Sequence, residues 1–198
     1  LLRRRGEAMQ AAIPVGEGAM AAVLGLEIDD VSAIAGEASS AGVCSVANDN
    51  SPGQIVVSGA QAAVEKAAEL AKEKGAKRAM MLPVSAPFHC SLMQPAADKM
   101  AEALESTTIS APVVPVLANV TASPESVPET LRGLLVEQVT ATVRWRESIA
   151  GVRNQEIDKV AELGTGKVLS GLVRRIDRDL DATSVETPAD VEAFLNTL

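Results

Sequence analysis

The sequence predicts an α/β protein in two parts. One is a ferredoxin-like β-α-β-β-α-β unit over residues 16–84; the other comprises a leading helix over 1–15 and a longer helix-and-strand region over 85–198. Three observations carry this. Between Gly16 and Val84, short apolar runs and two long helical stretches follow one another in the order of the split β-α-β unit. After residue 85 the apolar runs are separated by helical stretches, the pattern of a parallel sheet with crossover helices. The chain is 47% hydrophobic but only 2% aromatic, so its core must be built from Ala, Val, Leu, Ile and Met.

Residues 1–13 read as a helix that Pro14 and Gly16 end. Residues 19–24 form a strand, and 29–39 a helix with Asp29 as candidate N-cap. A strand over 43–47 leads into Asn48-Asp49-Asn50-Ser51-Pro52-Gly53, whose residue types favour a turn. A strand over 54–58, a helix over 60–74 ended by Gly75 and a strand over 78–84 complete the unit. Its two helices would cover one face of a four-stranded sheet.

Residues 91–104 are helical if Pro95 falls in the first turn. Residues 113–117 form a short strand, 127–138 and 145–152 helices, and 159–163 a second strand. Gly164-Thr165-Gly166 turns the chain into a helix over 167–176, and a last helix covers 188–196. Residues 121–128 are the most loop-like stretch. Two strands are too few for a sheet covered on both faces. Leu1-Leu2-Arg3-Arg4-Arg5 has no initiator Met and reads as mid-helix without a cap. The expectation is a portion of a longer product, with the other strands upstream.

Net charge is −8, which argues against nucleic acid or an anionic membrane as the main partner. No apolar run reaches membrane-spanning length. Cys44 and Cys90 form no CxxC pair and fit a reducing cytoplasm.

His89 is the only histidine, in Ser85-Ala86-Pro87-Phe88-His89-Cys90-Ser91-Leu92-Met93. A lone histidine cannot build a multi-histidine metal site. Its chemistry is either proton transfer near neutral pH or ordinary packing. Ser91 and Cys90 beside it read as a helix-start residue and a small apolar one. Gly164-Thr165-Gly166-Lys167 is not a phosphate loop, which needs glycine at Ala161 and Ser or Thr at Val168.

Seven stretches, in order and spacing, resemble the malonyl-CoA:acyl carrier protein transacylases. They are Arg5-Gly6-Glu7-Ala8-Met9-Gln10, Gly16-Glu17-Gly18-Ala19-Met20-Ala21-Ala22, Asn48-Asp49-Asn50-Ser51-Pro52-Gly53-Gln54, and the His89 segment running on to Asp98. The others are Val116-Leu117-Ala118-Asn119-Val120, residues 138–145, and Gly164-Thr165-Gly166-Lys167-Val168-Leu169. The resemblance implies a ferredoxin-like subdomain inserted into a hydrolase-like α/β domain, of which 85–198 would be the C-terminal part. It implies a monomeric cytoplasmic enzyme of fatty-acid synthesis that needs no cofactor. Such an enzyme moves malonyl from malonyl-CoA to the phosphopantetheine thiol of acyl carrier protein, through a serine in a Gly-x-Ser-x-Gly elbow.

By that resemblance His89 is the general base, and the main-chain carbonyl of Gln138 accepts its other N–H. Without the resemblance, Gln138 is a solvated helix end. Arg5 matches the residue that clamps the malonyl carboxylate, a task suited to a two-donor fork. Met9, one turn on, would wall the acyl chain; alternatively Arg3–Arg5 is a solvated face and Met9 is core. Phe88 matches a ring that narrows the pocket against an α-methyl branch, or is simply packed. Asn48, Asn50, Ser51 and Gln54 could contact the pantetheine arm or only form a turn, and Asn119 matches a position near the site. No Gly-x-Ser-x-Gly occurs in these residues, so the chain alone is expected not to form the acyl-enzyme. A polyketide-synthase acyltransferase domain would use the same residues. A non-catalytic module for acidic acyl carrier protein, docked by Lys77, Arg78, Arg144 and Arg146, is the other alternative.

Overall fold

In the computed structural model, which describes residues 1–197, the β-α-β-β-α-β order is present as expected. β1 (Gly18–Leu24), α2 (Ile28–Ala38), β2 (Cys44–Ser51), β3 (Gln54–Ala60), α3 (Gln61–Glu73) and β4 (Arg78–Met81) follow α1 (Leu2–Gln10). The four strands form one antiparallel sheet in the order β2-β3-β1-β4. Strand alternation divides its side chains between two faces. Ala21, Val23, Ile55 and Val57 meet Val31, Ile34, Val64 and Ala67 of the helices in one core. Met20, Ala47 and Val56 point to the other face, where Phe88 packs. The inner stripe of α3 is mostly alanine.

Beyond β4 come α4 (Gln94–Glu105), β5 (Val116–Ala118), β6 (Ser123–Glu125), α5 (Pro128–Glu137), α6 (Trp145–Val152), β7 (Lys159–Leu163), α7 (Val168–Ile176), β8 (Asp181–Val185) and α8 (Pro188–Leu195). α1 and α4 share a core of Met9, Met93, Ala96, Ala97 and Met100 that extends to Val139. Ile149, Val152, Val173, Leu180 and Ala182 hold α6 and α7 against β7 and β8. No helix of the described residues is long and apolar enough to cross a membrane.

Several elements depart from the sequence reading. The turn expected from Asn48 is strand: β2 keeps pairing with β3 through two irregularities, leaving only Pro52-Gly53 as the turn, with Gly53 at φ 66°. The strand expected over 113–117 starts at Val116, because the flanking Pro112 and Pro115 have no N–H to give a ladder. It pairs with β6, inside the stretch read as loop, as an antiparallel hairpin. β8 was not anticipated; it pairs in parallel with β7, and α7 makes the crossover. α2 starts one residue earlier than Asp29, with Glu27 at the N-cap, so Asp29 and Asp30 lie in the first turn and complement its positive end. Ser91 opens a short 3-10 turn over Ser91–Met93 and makes no capping bond.

Candidate active site

The loop between β4 and α4 is anchored on either side of His89. Ala86, Pro87 and Cys90 are buried. Gly18 lets the Pro87 ring lie directly on β1, since a Cβ there would overlap the ring. Phe88 packs against both the α1/α4 core and the outer sheet face, joining the two. His89 itself has φ 59°, the left-handed region that costs a non-glycine residue about 1–2 kcal/mol. The loop is closed by the Phe88 N–H to Ala86 O bond at 3.1 Å and the Cys90 thiol to Pro87 O contact at 3.1 Å.

This conformation directs the imidazole at the C-terminal end of α5. His89 Nδ1 lies 3.2 Å from the Gln138 carbonyl oxygen and 3.1 Å from that of Ala141. Two carbonyls can only accept, so Nδ1 carries the proton and Nε2 keeps its lone pair. The last carbonyls of a helix lack partners within it, and the His89 N–H uses one of them. Burial pushes the His89 pKa below its ordinary 6.5, against the two carbonyl contacts, which push it up; the Arg5 charge adds a further downward push. The ring is therefore neutral at pH 7, as a base must be.

The strand-like stretch after Ala141 is pinned on both sides. Val143 bridges to β2 through Asp49 N–H to Val143 O and Val143 N–H to Ala47 O, both at 2.8 Å. Thr142 Oγ1 donates to Val46 O at 2.7 Å. On the opposite side the Asn119 amide works as a strand would: Nδ2 donates to Thr142 O at 3.0 Å and Oδ1 accepts from Arg144 N–H at 2.9 Å. Asn119 thus holds the His89 support in place.

Arg5, Ala8 and Met9 share the inner face of α1. Arg3 is exposed and paired with Glu7, whereas Arg5 is half-buried and its Nε has no hydrogen-bond partner among the described residues. A buried N–H left unpaired costs about 1–3 kcal/mol, which an anionic ligand would recover. Arg5 lines a groove of about 400 Å³ with Leu2, Met100, Leu104, Leu135 and Gln138. Gln138 thus both lines the Arg5 groove and meets His89 through its main-chain carbonyl. Met9 is a core residue, 5% exposed. Asn50 lies half-buried in β2 rather than in a turn.

Arg146 and Arg144, two of the residues considered for docking a partner, are each ion-paired within the chain. Arg146 Nε lies 2.9 Å from both oxygens of the buried Asp49 carboxylate, and Arg144 Nε lies 2.8 Å from Glu147. Lys77 and Arg78 are exposed. Burial pushes the Cys44 thiol up to about 11 and raises Cys90 as well, so neither is a thiolate nucleophile at neutral pH. The start of α7 is occupied by the Glu162 carboxylate, which accepts Leu169 N–H at 3.0 Å and Ser170 N–H at 2.7 Å. No role at the site was expected from the sequence for the Ala141 carbonyl, Thr142, Asp49 or Arg146.

Residues 1–187 match the family described as acyl transferase domain. The malonyl CoA-acyl carrier protein transacylase of Haemophilus influenzae is 46% identical over 198 residues, which cover 98% of this chain and 64% of the relative. The crystal structure of acyl-carrier-protein-S-malonyltransferase from Bartonella henselae superposes with a TM-score of 0.96 at 53% identity, covering 99% of this chain and 62% of that one. A malonyl-transacylase solved in complex with its type II polyketide acyl-carrier protein superposes at 0.94 with 40% identity, covering 98% of this chain and 63% of that one. The chain thus spans a little under two thirds of the length of these relatives. On the family match and the identity to these relatives, the chain belongs to the acyl transferase domain family.

Proposed function

We propose that these residues supply the base and carboxylate-binding half of a malonyl-CoA:acyl carrier protein transacylase site, acting as a cytoplasmic monomer in fatty-acid synthesis. The observation that carries this reading is the commitment of His89 Nδ1 to two carbonyls, which leaves Nε2 as a neutral acceptor. The names of the relatives and the carrier-protein complex of one structural neighbour support the substrate pair.

A serine Oγ attacks the malonyl thioester carbonyl while Nε2 takes its proton. The tetrahedral intermediate collapses, the C–S bond breaks, and coenzyme A leaves as a thiol carrying that proton. In the second half the phosphopantetheine thiol gives its proton to Nε2 and attacks the seryl ester, and the proton returns to the serine oxygen. Arg5 pairs with the malonyl carboxylate throughout, selecting a charged acyl group. The serine is not provided here, because the sequence holds no Gly-x-Ser-x-Gly.

Mass spectrometry after incubation with malonyl-CoA tests this. The chain alone should acquire no malonyl group. Joined to the part of the Haemophilus influenzae relative that it does not span, it should carry one on a serine of that part, and His89→Ala should slow that acylation by at least about 100-fold. A stable adduct on the chain alone, or acylation of the chimera indifferent to His89→Ala, would contradict the reading.

A further inference from the structure

We infer that Asp49 and Arg146 are positioning residues for His89: their ion pair locks the 138–145 segment onto β2 and so holds the carbonyls that fix the imidazole tautomer. This rests on the reading of His89 as base. Asp49 is 6% exposed, and both its oxygens lie 2.9 Å from Arg146 Nε, with Nη2 at 2.8 Å from Oδ2. Such a chelated pair is directional as well as charged. It sits at one end of a short run of ties. Asp49 N–H bonds Val143 O, Val143 N–H bonds Ala47 O, and Thr142 Oγ1 bonds Val46 O. Ala141, whose carbonyl faces His89, is the residue before Thr142.

The His89 contacts, at 3.2 and 3.1 Å, are at the long end for N–H···O bonds. Geometry at about 3.6 Å no longer makes a bond, so a shift of roughly half an ångström ends them. The ion pair opposes that shift because separating it would strand a carboxylate that water barely reaches. β2 belongs to the four-stranded sheet, whereas α5 and α6 lie outside it. The pair therefore ties the sheet to the site, although the ring's own hydrogen bonds go to Gln138 and Ala141.

The chain has one histidine, so ¹⁵N–¹H imidazole spectra report His89 alone. In Asp49→Asn the ratio of the Nδ1–H to the Nε2–H tautomer should fall about five- to tenfold, the change that weakening one ordinary hydrogen bond gives. Arg146→Gln, altered at the half-exposed end of the pair, should lower it in the same direction and serves if Asp49→Asn does not fold. Ile34→Val, a core substitution on the helix side of the same sheet, should lower thermal stability and leave the ratio unchanged. An unchanged ratio in a folded Asp49 or Arg146 variant, or an equal fall in Ile34→Val, would overturn the proposal. The readout needs no substrate. A wild-type ring lacking the Nδ1–H tautomer would sink the base reading itself, whereas a correct wild-type tautomer indifferent to Asp49 would sink only the positioning role.

Discussion

His89 is held by the main chain of Gln138: Nδ1 meets the carbonyl oxygen at 3.2 Å, at the end of α5. The bond therefore depends on where α5 stops and not on the side chain at its end. Gln138→Ala should keep the Nδ1–H tautomer and, in an acylation-competent chimera, change the acylation rate less than about threefold. Loss comparable to His89→Ala would give the Gln138 side chain a role in the chemistry.

Burial lowers the His89 pKa below 6.5, which fixes the sign of two pH effects. Base-catalysed acylation should fall on the acid side with an apparent pKa under 6.5, since the imidazolium has no lone pair. Unfolded His89 takes its proton first as pH drops, so the unfolded state binds more protons in this window. The stability linked to His89 is complete above 6.5 and is lost as pH falls from there to the lower folded value. Urea titrations of wild type and His89→Gln should differ in slope with pH only over that interval.

Gly18 and Gly59 both exclude a Cβ, but against different neighbours. At Gly59 the added atom would strike the Val43 backbone carbonyl within the sheet, and at Gly18 it would strike the Pro87 ring. Gly18→Ala should cost about 1–3 kcal/mol in chemical denaturation and also broaden the His89 imidazole signals, because the ring anchors its loop. Gly59→Ala should destabilise the sheet and leave the signals of whatever fraction stays folded unchanged.

Glu162 fills the α7 N-terminus that a phosphate would need, and its backbone bonds to Ser170 and Leu169 hold its carboxyl below the usual 4.5. Glu162→Gln should lower the melting temperature at pH 7. The difference should shrink as pH falls below 4.5 through the folded value, where the wild-type carboxyl protonates too. Inorganic phosphate should leave the wild-type melting temperature unchanged.

Much of this was legible in the sequence where local pattern decides structure. The apolar strands and amphipathic helices of 18–81 follow one another in an order that implies the β2-β3-β1-β4 sheet. His89 stood out as the single histidine, but its left-handed φ had no local signal, since no glycine or asparagine marks the position. β8 was hidden because Asp181-Ala182-Thr183-Ser184-Val185 is mostly polar and becomes strand only by pairing with β7. Asp49 looked like a turn residue for the same reason. Its partner lies 97 residues away, and nothing local announces that Arg146 will bury it. Arg5 looked like one of three solvated arginines until the α1–α4 packing half-buried it alone.

The role of His89 as base depends on which of its nitrogens carries the proton. A multiple-bond ¹⁵N–¹H spectrum of the chain, followed through a pH titration, measures this directly. The Nδ1–H tautomer at pH 7 and a titration midpoint below 6.5 are expected. A predominant Nε2–H tautomer, or a midpoint at or above 6.5, would contradict that role.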